Sequence, residues 1–359
     1  MRAKRRLRAL VLVGLALGAG PVPSAQAPEV KLETLTYAVR GGNDLQLDLY
    51  TPGTSGAARL PVIVFLHGGG WSGGTRTTGP DFRRFFAQDG FAMASLEYRL
   101  TPDITFPSNV EDVKTAVRWL KANANTHGLD ASRVCLWGTS AGGHLAAVAA
   151  LAPKGTFEGE DNLTQSSAVQ CVLDAYGPTK FDVMDAQTND ERPALQPQAP
   201  ALMNAPPMRG APGGAAAGRG RGGEAQPHDS ATSPESRLVG APIQAVPDRV
   251  RAASPLTYVR AGAPPPFLIM HGLADNSVPH GQSVLLYDAL AAAGNDVTLL
   301  LVDGLPHTFF NRSDLDELAG PFRMTVRDRA RGAAERRSED RAGVFAVARE
   351  FFRRQLVER

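Results

Sequence analysis

Apolar positions recur along the chain with two periods, and the periods alternate. Leu32–Val39 and Leu45–Tyr50 alternate apolar and polar residues around Gly41-Gly42-Asn43-Asp44, which predicts an opening β-hairpin. Pro61–Leu66 and Phe91–Leu96 are short continuous apolar runs, as expected of strands covered on both faces. Between them Phe82, Phe85 and Phe86 fall at helical spacing. Val110, Val113, Val117 and Leu120 step by three, four and three, one face of a helix starting after Pro107-Ser108. Further strands are predicted over Arg133–Trp137, Val169–Ala175, Pro266–Met270 and Val297–Val302. Further helices are predicted over Ala141–Leu151, Val278–Ala293 (ended by Gly294) and Val344–Leu356. Strands separated by helices imply an α/β fold: a mainly parallel central sheet with helices on both faces. One domain over 28–359 holds the whole series.

One stretch has neither period. Between 186 and 232 no apolar face emerges, and Met208–Gly223 is almost entirely Gly, Ala, Arg and Pro. It reads as a low-complexity insertion, disordered or lid-like, that adds little to the core. Hydrophobic residues make up 43% of the 359, ample for a large core elsewhere. The formal charge of +2 is uneven. Arg2, Lys4, Arg5, Arg6 and Arg8 open the chain, and without them the balance falls to about −3, so nothing global points to nucleic acid. Those basic residues precede eleven uncharged, mostly apolar positions (Ala9–Ala19) and small residues ending in Ala25-Gln26-Ala27. Residues 1–27 read as a signal peptide, too short in its apolar part for a stable membrane anchor. An exported protein, periplasmic or secreted, is the expectation. Two cysteines cannot build a disulfide scaffold or a four-cysteine zinc site. Cys135 and Cys171 fall in strands expected to be neighbours and read most simply as buried thiols, with a disulfide between them as the alternative.

Candidate chemistry gathers at strand ends. Gly138-Thr139-Ser140-Ala141-Gly142 follows an apolar strand and precedes an Ala-rich helix. A nucleophilic serine on a sharp strand-to-helix turn needs small residues two before and two after it. Ala141 can offer its backbone N–H to a developing oxyanion. His67-Gly68-Gly69-Gly70-Trp71 closes an earlier strand, and its glycines leave backbone N–H groups open to a negative oxygen. His67 itself reads as a hydrogen-bonding residue of that loop. A serine needs a base, and the base needs a carboxylate to fix its tautomer. Asp275 and His307 each lie just past a strand and follow Ser140 in the order Ser, Asp, His. His271 competes as base and Asp303 as acid. His144, one turn beyond Ser140, reads as helix packing. No metal, nucleotide or dinucleotide motif occurs, so no cofactor is implied.

These residues bring a family into view. The chain resembles the α/β-hydrolases, specifically bacterial carboxylesterases and lipases of the hormone-sensitive-lipase-like and feruloyl-esterase-like groups. Matching stretches include Leu49–Pro52, the His67 and Ser140 motifs, Glu97–Leu100, Asp112–Leu120, Tyr176–Thr179, Ser254-Pro255 and Pro265–Pro279. The resemblance implies a serine carboxylesterase with Ser140, Asp275 and His307 as its catalytic residues. It further implies an oxyanion hole from the amides of Gly69, Gly70 and Ala141. Its substrate would be a small-molecule or polysaccharide-linked ester; oligomeric state is not legible. The chain departs from the family at 186–232 and at a charged extension, Gly320–Ala342. Two rivals stand beside this reading: a prolyl-oligopeptidase-like peptidase, which would share these segments, and a non-catalytic binding protein of the same fold.

Overall fold

A computed structural model describes residues 29–53, 58–203, 226–262 and 264–358. The expected signal peptide and the Met208–Gly223 tract lie outside the described residues. Among the described residues ten strands form one sheet: β1 (Val30–Arg40), β2 (Asn43–Pro52), β3 (Leu60–Leu66), β4 (Ala92–Leu96), β5 (Leu129–Thr139), β6 (Cys171–Ala175), β7 (Phe267–Gly272), β8 (Val297–Val302), β9 (Phe322–Arg329) and β10 (Arg336–Ala342). Their order across the sheet is β1-β2-β4-β3-β5-β6-β7-β8-β9-β10. The pairs from β4 through β3, β5, β6 and β7 to β8 are parallel, with antiparallel pairs at both edges. Among the described residues the helices are α1 (Ser108–Ala122), α2 (Ala141–Leu151), α3 (Met184–Glu191), α4 (Pro200–Met203), α5 (Pro234–Val239), α6 (Pro247–Ala253), α7 (Gly281–Ala292), α8 (Leu315–Ala319) and α9 (Val344–Leu356).

The strand period sorts the core into two layers. On β3, Val62, Val64 and Leu66 face one cluster with Val113 of α1, Leu145 of α2 and Leu286 of α7. Ile63 and Phe65 face the other, with Trp137, Phe310, and Phe345 and Phe352 of α9. Both faces are therefore covered, which is why β3 is apolar at every position. The register sets Leu66 opposite Gly138, Gly138 opposite Asp174, and Gly272 opposite Val302. The carboxyl ends of these strands thus meet at one edge, where an open α/β sheet binds its ligands.

Four expectations need correction. Cys135 and Cys171 are not free thiols; they form a disulfide between β5 and β6. Parallel register places them directly opposite, with Cα atoms 4.7 Å apart, well within bridging range. The insertion is also shorter than 186–232. Its first flank folds as α3, a short 3₁₀ turn and α4, and its second begins again at Gln226 before α5; only 204–225 lies outside the described residues. Phe82, Phe85 and Phe86 are buried, but not on a regular helix: Phe85 is extended and Phe86 has φ 65°. Finally, Gly320–Ala342 holds the β9–β10 hairpin. Phe322 and Met324 are buried beneath charged positions, and the hairpin carries the cross-strand pairs Arg323–Glu339 and Arg336–Asp328. The charges that hid this hairpin in the sequence suit an exposed edge strand.

Candidate active site

Ser140 stands between β5 and α2 with φ 53°, a conformation that costs energy for a residue with a side chain. Steric contacts on both sides enforce it. A Cβ on Gly138 would sit on the Gly142 carbonyl, and a Cβ on Gly142 on the Leu66 carbonyl. The two glycines let the turn close against itself and against β3. The Ser140 N–H donates to the Ala175 carbonyl at 2.8 Å, tying the turn to the end of β6.

His307 reaches this turn from the loop after β8. Its Nε2 lies 2.9 Å from Ser140 Oγ, and its Nδ1 lies 2.6 Å from Asp275 Oδ2. Asp275, on the loop after β7, is buried and also accepts the N–H groups of Ser277 (2.8 Å) and Val278 (3.0 Å) through Oδ1. Burial pushes its carboxyl up, but His307 and His271 outweigh that and hold it well below the usual carboxylate range. An ionised Asp275 only accepts, so Nδ1 of His307 carries the ring proton. Its Nε2 is then a free acceptor aimed at the serine hydroxyl. Tyr176, at the end of β6, packs against the His307 ring with centroids 4.8 Å apart.

The glycine loop adjoins the same turn. A Cβ on Gly68 would come 3.1 Å from the Thr139 carbonyl and 3.2 Å from the Ser140 Cβ, so the loop backbone lies close against the serine turn. Among the described residues, the N–H groups of Gly69, Gly70 and Ala141 donate to no carbonyl or side chain. His67 is buried, stacks on Tyr98 and sits 2.8 Å from the Gly68 carbonyl; burial depresses its pKa to about 4. His144 bridges Trp71 Nε1 (3.2 Å) and the Ala253 carbonyl (2.7 Å), and burial depresses it to about 4 as well. Both are neutral packing residues, as their positions in the sequence suggest.

The competing base and acid are placed elsewhere. His271 Nε2 faces Asp275 and the Val278 carbonyl rather than Ser140. Asp303 meets Gln196 Nε2 at 3.3 Å. That glutamine belongs to a strap the sequence did not reveal. The Glu191 carboxylate accepts the His280 and Gly281 N–H groups, each at 2.8 Å, on the loop that follows Asp275. Gln196 donates its own N–H to the Leu273 carbonyl (3.0 Å) and accepts the Gly304 N–H (3.0 Å) three residues before His307. Residues 191–199 thereby span the loops that carry Asp275 and His307. No group of three or more metal-binding side chains occurs among the described residues, and none of their helices is long and apolar enough to cross a membrane.

Known proteins resemble this chain. The BD-FAE family model matches residues 47–212 and 221–290. The carboxylesterase NlhH of Mycobacterium tuberculosis (strain CDC 1551 / Oshkosh) is 37% identical over 129 residues, 36% of this chain and 40% of that protein. The esterase LipQ of Mycobacterium tuberculosis (strain ATCC 25618 / H37Rv) is 29% identical over 256 residues, 71% of this chain and 51% of its own length. The match thus takes in about half or less of each curated relative. Among solved structures, a truncated form of a carbohydrate esterase from gut microbiota superposes with a TM-score of 0.61 at 26% identity, covering 83% of this chain and 96% of that one.

Proposed function

The chain belongs to the BD-FAE family of the α/β-hydrolase fold, and on that premise we propose that it is an exported serine carboxylesterase. The observation that carries the reading is the hydrogen-bonded series Ser140–His307–Asp275, built on a strained turn at the head of a helix. Ser140 Oγ attacks the ester carbonyl while His307 Nε2 takes its proton. The N–H groups of Gly69, Gly70 and Ala141 receive the charge that develops on the carbonyl oxygen. The intermediate collapses, His307 returns the proton to the leaving alcohol, and the acyl group stays on Ser140. Water, deprotonated by the same imidazole, then attacks the acyl-enzyme and releases the acid. Asp275 holds the tautomer and balances the imidazolium formed in each half.

Export is supported by two features: the basic and apolar start of the chain, and the Cys135–Cys171 disulfide, a bond that persists in oxidising compartments. The carbohydrate esterase neighbour favours a sugar-linked ester as one substrate class beside small esters. The test is Ser140→Ala on p-nitrophenyl acetate, with a fluorophosphonate probe and acetylated xylan as parallel arms. A loss of roughly 10⁴–10⁶ in kcat and loss of labelling are expected. A folded variant keeping more than about a tenth of wild-type activity would refute the mechanism.

A further inference from the structure

We propose that His271 is a positioning residue for this hydrolysis and that, with Ser283, it extends the Ser140–His307–Asp275 series by two members. The inference rests on the reading of Ser140 as nucleophile and goes beyond it.

His271 and Ser283 are both buried, at the end of β7 and in the first turn of α7. Two groups face His271 Nε2: the Val278 carbonyl at 3.0 Å and Asp275 Oδ2 at 3.2 Å. Both can only accept, so Nε2 must carry a proton. Nδ1 lies 2.7 Å from Ser283 Oγ. In the neutral ring that nitrogen accepts, and the serine hydroxyl donates to it. The Val278 carbonyl and Asp275 thus select the tautomer, and the Ser283 hydroxyl, by donating to the bare Nδ1, completes the hydrogen bonds of the ring and holds it in place. Among the described residues the ring against His271 is Tyr176, at 6.4 Å between centroids.

Asp275 then receives three hydrogen bonds and one further polar contact. Ser277 and Val278 bind Oδ1, His307 Nδ1 binds Oδ2, and the His271 Nε2–H, hydrogen-bonded to the Val278 carbonyl, lies 3.2 Å from that same Oδ2. A carboxylate held on both oxygens resists rotation away from His307 when the imidazole becomes charged. Sharing Oδ2 also tempers the field that His307 feels. Without the His271 donor, the negative charge falls more fully on His307, and its imidazolium is stabilised further. The base then needs a higher pH to become neutral.

The full chain is compared with His271→Leu, His271→Gln and Ser283→Ala. The kcat and KM values for p-nitrophenyl acetate are measured from about pH 5 to 9, a range that brackets histidine titration. Each is normalised to sites titrated by a fluorophosphonate at Ser140. In His271→Leu, kcat per titrated site should fall about 10- to 100-fold, with KM within about twofold, as expected of a misplaced base. The acidic limb of kcat/KM should move to higher pH. His271→Gln, whose amide can reach the same acceptors, should restore the limb, and Ser283→Ala should move it the same way by less. An unmoved limb with fewer titratable sites would overturn the proposal and leave His271 a packing residue. If His271→Leu does not fold, Ser283→Ala decides, because it removes one oxygen; an unmoved limb there overturns the proposal. A wild-type protein that fails to label refutes the parent reading, whereas a labelled one with unmoved variants refutes this proposal alone.

Discussion

The turn at residues 138–143 carries Ser140, and the strap at 184–203 ties down the loops that carry Asp275 and His307, by different physics. The turn is held by exclusion. Gly138 and Gly142 have no room for a side chain, and that shape forces Ser140 into a conformation it would not choose. The strap is held by acquisition. Glu191 and Gln196 take backbone N–H groups from two loops about 80 to 110 positions away in the chain. Exclusion dictates residue types and their spacing. Acquisition dictates only that some acceptor be present, and many side chains would serve.

The comparison predicts unequal sensitivity. Gly142→Ala should have the largest effect, since its Cβ meets the Leu66 and His67 carbonyls, which are backbone of a central strand and its exit and cannot yield cheaply. Either the turn shifts or β3 does, and both separate Ser140 from the glycine loop. A loss of about 10³-fold or more in kcat/KM is expected on p-nitrophenyl acetate, with circular dichroism confirming a folded chain. A folded Gly142→Ala within about tenfold of wild type would remove exclusion as the basis of the site.

Gln196→Ala should do less. It leaves the buried Gly304 N–H without its acceptor, at a cost of about 1–2 kcal/mol, and loosens the loop that delivers His307. A fall of about three- to tenfold in kcat/KM is expected, because Asp275 and Tyr176 still constrain the imidazole. A loss above about 100-fold would place the strap on a par with the turn and break the contrast.

The same distinction explains what could be read from the chain. The central strands were legible because burial on both faces leaves β3 no polar position, and the order Ser140, Asp275, His307 because each follows such a strand. The oxyanion candidates were legible through glycines that only a crowded backbone requires. The disulfide was legible only as the alternative to two thiols: the two strands could be paired, but the register that sets Cys135 opposite Cys171 has no local signature. The strap was illegible because Glu191 and Gln196 sit in a polar segment whose partners lie in distant loops. Proline and glycine further along made the whole of 186–232 look alike. The β9–β10 hairpin was masked by edge-strand charges that outnumber its inward apolar residues.

Glu191→Gln should have the smallest effect, and its pH dependence tests acquisition directly. The Glu191 carboxylate accepts two backbone N–H groups and meets His280 Nδ1 at 2.8 Å. Burial alone would raise its pKa, but the hydrogen bond and charge of His280, with the two N–H groups, outweigh it. The folded value therefore lies below the ordinary 4.5. A carboxyl with a depressed folded pKa binds fewer protons when folded than when unfolded. Its stabilisation is present above 4.5 and is lost as pH falls through the lowered value. Glutamine keeps the shape, but its amide turns a donor toward one of the two N–H groups it should receive. At neutral pH the variant should be less stable by about 1 kcal/mol in urea unfolding, with short-ester activity nearly unchanged. Below the ordinary glutamate range the wild-type carboxyl gains its proton, becomes a near match for the amide, and the gap between the two proteins should close. A gap that stays constant as the solution is acidified would mean that packing, not a charged acceptor, holds the strap to the Asp275 loop, and the contrast between the two regions would then be one of degree.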